Sequence, residues 1–290
     1  MALRINYNFE SVSAQRNLSG TQNSFARAIE QLSSGLRINK AADDAAGLAV
    51  SEKLKNQVRG LNQAQRNAQD AVSLLQTAEG ALNETHSLLA RMRELAVQSS
   101  NDTLTNSDRL HIQDEVNQLL SEVDRIAAAT QFNTIPLLKG SGSPATSMQF
   151  HVGPNNVTTA SVDEITFSLA NAGTGATGGG LAVSNLATAG LQSLTTQGGA
   201  NAAISVLDTA IESVSTRRGA IGAMQNRLQS TINSLGIAAE NTGAANSRIR
   251  DADVAASVSE MVRNQILQQS TMAVLAQANQ APQMALQLLK

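Results

Sequence analysis

The sequence predicts a mainly α protein: long antiparallel helices in a coiled-coil-like rod, with a small β-hairpin region. Apolar residues recur every seventh position in two ladders, Leu54, Leu61, Ala68, Leu75, Leu82, Leu89 and Ala96, then Leu207, Val214, Ile221, Leu228 and Leu235. A stripe of this period stays on one helix face only when the helix winds slightly against a partner. The chain is 42% hydrophobic but only 2% aromatic and has no Trp, so its apolar mass is aliphatic, which suits interlocked helices better than one large globular core. Alternation with a period of two is confined to the middle, at Met148, Phe150 and Val152 and again at Ile165, Phe167 and Leu169.

Residues 10–37 read as a helix, with Leu18, Phe25 and Leu32 on one seven-residue series and Ile29 and Leu36 on the other. Asp43 and Asp44 then stand where carboxylates favour the positive end of the next helix. That helix, about 55 residues from near Ala45 to near Ser99, would be roughly 80 Å long at about 1.5 Å per residue. Its companion series is Val58 and Val72, interrupted by Gln65, Glu79 and His86. Ser100-Asn101-Asp102-Thr103 breaks the pattern, and Asn106-Ser107-Asp108 can cap a third helix carrying Ile112, Val116, Leu119, Val123 and Ile126. The β hairpin is expected near 131–170, with Gly153-Pro154-Asn155-Asn156 turning between its strands.

Residues 171–200, rich in Gly, Ala, Thr and Ser, read as a flexible surface crossing that would accept an insertion. In the second ladder the companion series Ile204, Ile211 and Ile232 is broken by Arg218 and Gln225. Residues 254–290 match the first helix in style, with Val258, Met261, Ile266, Met272, Leu275 and Leu286 among Gln, Asn and Ala. Two such weakly apolar ends bury too little area to offset an ordering cost of roughly 1–2 kcal/mol per residue. They are therefore expected to order only against neighbouring copies. The assembly interface expected from them comprises Leu18, Phe25, Leu32, Val258, Met261, Leu275, Leu286, Leu288 and Leu289.

Nothing in the sequence points to an enzyme, a metal or a cofactor. His86, His111 and His151 are scattered, and only His111 has a carboxylate, Glu115, one helical turn away, which is too little for a metal site. Asp43-Asp44 and Asp114-Glu115 lack the apolar pocket or charged partner that acid–base catalysis needs. The Gly-rich crossing has no phosphate-binding fingerprint. A net charge of −2 without a basic block gives no footprint for nucleic acid. No stretch approaches the 18 apolar residues of a membrane span. With no Cys there is neither a disulfide framework nor a thiolate nucleophile. The first residues lack the pattern of a secretory signal peptide, so export is expected by another route. The Asn-x-Ser/Thr triplets at Asn17, Asn83, Asn101 and Asn156 read as coincidence in a chain rich in these residues.

Three N-terminal segments, Leu32-Ser33-Ser34-Gly35-Leu36-Arg37-Ile38-Asn39, Lys40-Ala41-Ala42-Asp43-Asp44-Ala45-Ala46-Gly47-Leu48-Ala49 and Arg91-Met92-Arg93-Glu94-Leu95-Ala96-Val97-Gln98, resemble hallmark segments of bacterial flagellin. Arg248-Ile249-Arg250-Asp251-Ala252-Asp253 and the ending Leu286-Gln287-Leu288-Leu289-Lys290 agree, so the resemblance covers about residues 1–140 and 200–290. It implies an inner terminal coiled-coil domain from residues 1–44 and 250–290. Residues 45–249 would form a helical core domain, without room for large outer variable domains.

The function implied is that of a structural subunit that is exported and self-assembles into the helical filament of the bacterial flagellum for motility. The alternative is a flagellin-related hook-filament junction protein. The implied partners are further copies of the chain, an export chaperone held within about 250–290, the type III export gate, and the filament cap and junction proteins. The implied location is secreted, in the extracellular filament. By resemblance, Arg91, Leu95 and Glu115 match contacts of a host Toll-like receptor, and Leu286, Leu288 and Leu289 those of an intracellular flagellin sensor.

Overall fold

A computed structural model of the chain describes residues 8–139, 148–155, 163–168, 172–174, 181 and 193–288, with side chains up to residue 280. Two compact units emerge, Met1–Val58 with Glu240–Lys290, and Arg59–Ala239.

In the first unit, helix α1 (Phe9–Ser34) starts at Asn8, whose side chain accepts a hydrogen bond from the Ser11 N–H at 3.1 Å. It stops at Gly35, which adopts φ of 69° and donates its N–H back to the Gln31 carbonyl at 2.9 Å. That left-handed cap is open to glycine at little cost. The helix therefore ends three residues before the expected boundary, and Leu36 forms a β-bridge to Asp251 instead of a helical contact. Helix α2 (Ala45–Ser99) follows. The acidic pair ahead of it has two separate tasks: Asp43 accepts from the N–H groups of Asn39 and Lys40, whereas Asp44 accepts from Gly47 and caps α2. At the chain's other end α4 (Gln197–Arg250) gives way to α5 (Val254–Leu288), whose first amides, Ala255 and Ala256, donate to the Asp253 carboxylate.

Helices α1 and α5 pair antiparallel. Asn8 Nδ2 donates to the Ala278 carbonyl at 2.8 Å, and the Ala252 N–H donates to the Gly35 carbonyl at 2.9 Å. The register is thus held from one end of the pair to the other. Ala14, Ala28, Ser257 and Ala278 are buried along the seam. Arg37 ties the connection down by donating to the Ile249 carbonyl, and Arg250 reaches Glu52 at 2.6 Å.

The second unit holds the main core, built from α2, α3 (Asn106–Ala129) and α4. From Leu61 onward every rung of the first ladder is buried, as is every rung of the second. The companion series of α2 differs from expectation. It lies three residues past each rung, at Ala64, Ala71, Ala78, Thr85, Met92 and Ser99, all buried, while Val58, Gln65, Val72, Glu79 and His86 form a half-buried flank. Small side chains there let helix backbones approach, which apolarity alone does not signal. Two of the polar interruptions meet each other, since Gln225 Nε2 donates to Glu79 Oε2 at 2.9 Å.

Helix α3 is capped by Thr105, one residue earlier than expected, in a reciprocal box with Asp108. Strands β1 (Gln131–Phe132) and β2 (Ile135–Pro136) make a tight hairpin that the sequence does not advertise. Its two turn residues, Asn133 and Thr134, carry φ of 47° and 66° without a glycine. Strands β3 (Met148–His151) and β4 (Glu164–Phe167) pair antiparallel, Met148 opposite Phe167 and His151 opposite Glu164. Their connection is longer than the expected four-residue turn, with Val152 N–H donating to the Asp163 carbonyl at 2.7 Å. Leu169 lies outside the described residues.

Only part of the crossing at 171–200 lies among the described residues. In its described parts Ala172, Thr174, Leu181 and Leu194 are buried in or against the core, and α4 begins at Gln197. Thr174 is fastened through its N–H and hydroxyl to the Asp124 carboxylate, while Leu194 donates its N–H to Gln113 and accepts from the Ser99 hydroxyl. The composition is that of a loop, but these described residues are anchored.

Candidate functional site

Two surfaces gather the residues singled out from the sequence. The first belongs to the α1/α5 pair. Leu18, Phe25, Leu32, Met261 and Leu275 are half-buried. They share a three-four rhythm with buried Ala14, Ala28, Ser257 and Ala278, so these side chains are turned to the seam inside one copy of the chain. Val258, at 37%, faces outward. The side chains of Leu286 and Leu288, and the whole of Leu289, lie outside the described residues.

The sequence reading missed the outward face itself. Val254, Val262, Ile266, Leu267 and Val274 are exposed on α5, Ile266 at 61%. The seam-side rhythm of α5 meanwhile includes Asn264, Gln268 and Thr271, all half-buried. Helix α5 thus carries apolar residues on every side, and the signal was there: a helix apolar all round needs cover all round. A groove of about 510 Å³ opens along the outward face, lined by Val258, Ser259, Val262, Arg263, Ile266 and Leu267.

The second surface lies on α2 and α3. Arg91 donates from Nη2 and Nε to Glu115 Oε1 at 2.9 and 3.1 Å, and from Nη1 to Glu94 Oε2 at 3.2 Å. Hydrogen bonds to Glu115, and then to Glu94, raise the Arg91 pKa above its ordinary value, so the cation is permanent. All three charged side chains remain reachable by a partner. Leu95 does not join them: it is 2% exposed and belongs to the core. Its side chain is spent on packing between helices, which leaves Arg91 and Glu115 as the exposed members of the set. Next to this cluster, Arg93 pairs with Asp208 across to α4.

Among the described residues no three His, Asp or Glu side chains stand close enough to hold a metal, and no helix is long and apolar enough to cross a membrane. His111 has no share in Glu115, whose carboxylate is engaged by Arg91.

Comparison with known proteins adds sequence relatives to these surfaces. Residues 5–143 match the family described as the bacterial flagellin N-terminal helical region, and residues 204–289 match the bacterial flagellin C-terminal helical region. A flagellin of Halalkalibacterium halodurans is 48% identical, with 99% of each chain covered. The flagellar filament 33 kDa core protein of Treponema phagedenis is 46% identical, again over 99% of each chain. The solved structure of a putative flagellar hook-associated protein from Vibrio parahaemolyticus superposes with a TM-score of 0.57 over 72% of this chain and 100% of that one. At 14% identity that likeness is one of fold alone.

Proposed function

The chain belongs to the bacterial flagellin family, and from that premise we propose how its ends and its core serve a filament. It is a structural subunit of the flagellar filament, not an enzyme, and motility follows from the filament. The junction-protein alternative is not favoured, because the matches along the full length are to flagellins and filament core proteins.

The observation that carries the reading is the outward face of α5, an apolar stripe with no cover among the described residues. Exposed apolar area of this kind is an aggregation hazard in solution and a source of free energy in a polymer. Residues 1–44 with 250–290 form the inner assembly layer and 45–249 the core layer. Head-to-tail contacts whose rotation does not close a ring propagate a tube. The chain is exported, and its ends, loosely paired in a single copy, order fully only beside earlier copies. Before export a chaperone covers part of 250–290, and the export gate, cap and junction proteins handle the chain in turn.

Electron microscopy after salt-induced assembly tests this, with the intact chain beside one trimmed of 1–44 and 250–290. Long tubes from the intact chain alone are expected; rings or monomers even with filament seeds would refute the reading.

The Arg91–Glu115–Glu94 cluster supports a host-receptor contact through Arg91 and Glu115, with Leu95 acting from beneath as packing. Leu286, Leu288 and Leu289 are the candidates for the intracellular sensor. Arg91→Asp should weaken Toll-like receptor signalling by soluble subunit, and unchanged signalling would count against the assignment.

A further inference from the structure

The α5 groove has a definite shape. Val258, Val262 and Ile266 form one row at four-residue spacing and Ser259, Arg263 and Leu267 the next, so the groove between them can receive a projecting side chain from another helix. Its apolar walls carry one cation, Arg263, which makes no ion pair or hydrogen bond among the described residues. A matching occupant brings an exposed apolar knob with an unengaged carboxylate beside it.

Among the exposed large apolar side chains described on α1 and α5, the ends that the filament reading brings together, three have an acidic residue next to them in sequence: Phe9 with Glu10, Ile29 with Glu30, and Val254 with Asp253. Glu30 is taken by Lys40 at 2.8 Å, and Asp253 is taken by the first amides of α5. Glu10 has no such partner among the described residues, and Phe9, at 70%, is the most exposed of them all.

We propose that the α5 groove seats Phe9 of a second copy of this chain, with Glu10 of that copy paired to Arg263. The proposal rests on the filament-subunit reading and gives it a register. The pair cannot close within one copy. The bonds Asn8–Ala278 and Gly35–Ala252 place Arg263 level with Ser24, fourteen residues beyond Glu10, or about 21 Å along the helix. Neighbouring copies joined this way are therefore offset by about 21 Å along the α1/α5 axis. The contact is heterologous, groove to knob, so a joined pair still presents one free groove and one free knob and the interaction propagates.

The chain has no Cys, so single thiols report cleanly. Full-length E10C and R263C chains are mixed, assembled from filament seeds, and treated with a short bismaleimide. Covalent dimers are expected in the mixed filaments and not in filaments of either variant alone. In parallel, R263E should raise the critical concentration about two- to tenfold, and the swap E10R/R263E should bring it back toward the intact chain. Filaments without mixed dimers, or a swap no better than the single variants, would overturn the contact and leave the filament reading standing. Failure of the intact chain to grow from seeds would overturn both.

Discussion

Replacing Ala78 by Leu separates close packing from mere apolarity. Ala78 is fully buried in the α2 seam, between the rungs Leu75 and Leu82, which are themselves 0% and 1% exposed. Area bookkeeping alone would credit an added buried isobutyl group with roughly 1.5–3 kcal/mol of stabilisation. A seam already closed has no room for it, and overpacking costs about 1–3 kcal/mol. For a unit of this size each kcal/mol moves Tm by roughly 2–4 °C, so the soluble subunit should melt about 2–12 °C lower. Gly80→Ala, two residues away, is the control: a Cβ there meets nothing within 4 Å, and removing a helical glycine should stabilise by about 0.5–1 kcal/mol. Thermal scans followed by circular dichroism at 222 nm read both variants. A Tm for Ala78→Leu at or above that of the unmodified chain would refute the claim that small residues set the helix spacing.

Gln113→Leu strands the Leu194 N–H and leaves the Ser193 hydroxyl with Thr195 Oγ1 alone, and should cost about 1–3 kcal/mol in urea titrations; an unchanged midpoint would mean that the crossing is not pinned there. Hydrogen bonds from the Thr105 hydroxyl and then the Thr105 N–H hold the Asp108 carboxyl below the usual carboxylate range. A lowered folded-state pKa stabilises fully above the unfolded value and is lost as pH falls through the folded one. The stability gap between the chain and Asp108→Asn should accordingly be greatest at neutral pH and shrink in acid, and a gap that grows in acid would contradict the capping box. Gly60→Val would drive a side chain into Pro154, whose Cβ stands 3.0 Å from where a Cβ at residue 60 would lie. Faster amide exchange around 148–155, with the Asn67–His151 bond lost, is the expected result, and unaltered exchange would show that the hairpin does not lean on α2.

The helices and their ladders were legible because a seven-residue apolar period has few other uses. The seam between them was harder to read, because Ala carries only a weak hydrophobic signal and Ser none even where they decide the spacing, as at Ala71, Ala78 and Ser99. Helix ends were missed by one to three residues where a cap, Thr105 or Gly35, prevailed over periodicity. The crossing misled for a related reason: Leu181 and Leu194 are isolated among small residues, and only the three-dimensional course of the chain reveals them as anchors. On the candidate surfaces the Arg91–Glu115 pair was within reach of sequence resemblance, but the burial of Leu95 was not, since a leucine on a ladder-bearing helix reads the same inside or out.

The poverty of the α1/α5 seam has a thermal consequence. Ala14, Ala28, Ser257 and Ala278 are its only buried residues among those described, whereas the Arg59–Ala239 unit buries whole ladders of Leu, Val and Ile. A segment with few buried apolar contacts opens at lower free energy, and with less change in heat capacity, than one that buries many. On warming the soluble subunit, the terminal pair should open first, in a broad and shallow step, ahead of a sharp transition from the core. The interval between the two steps is a temperature window in which the subunit has lost its gripping ends and kept its body, ready to regain them on cooling.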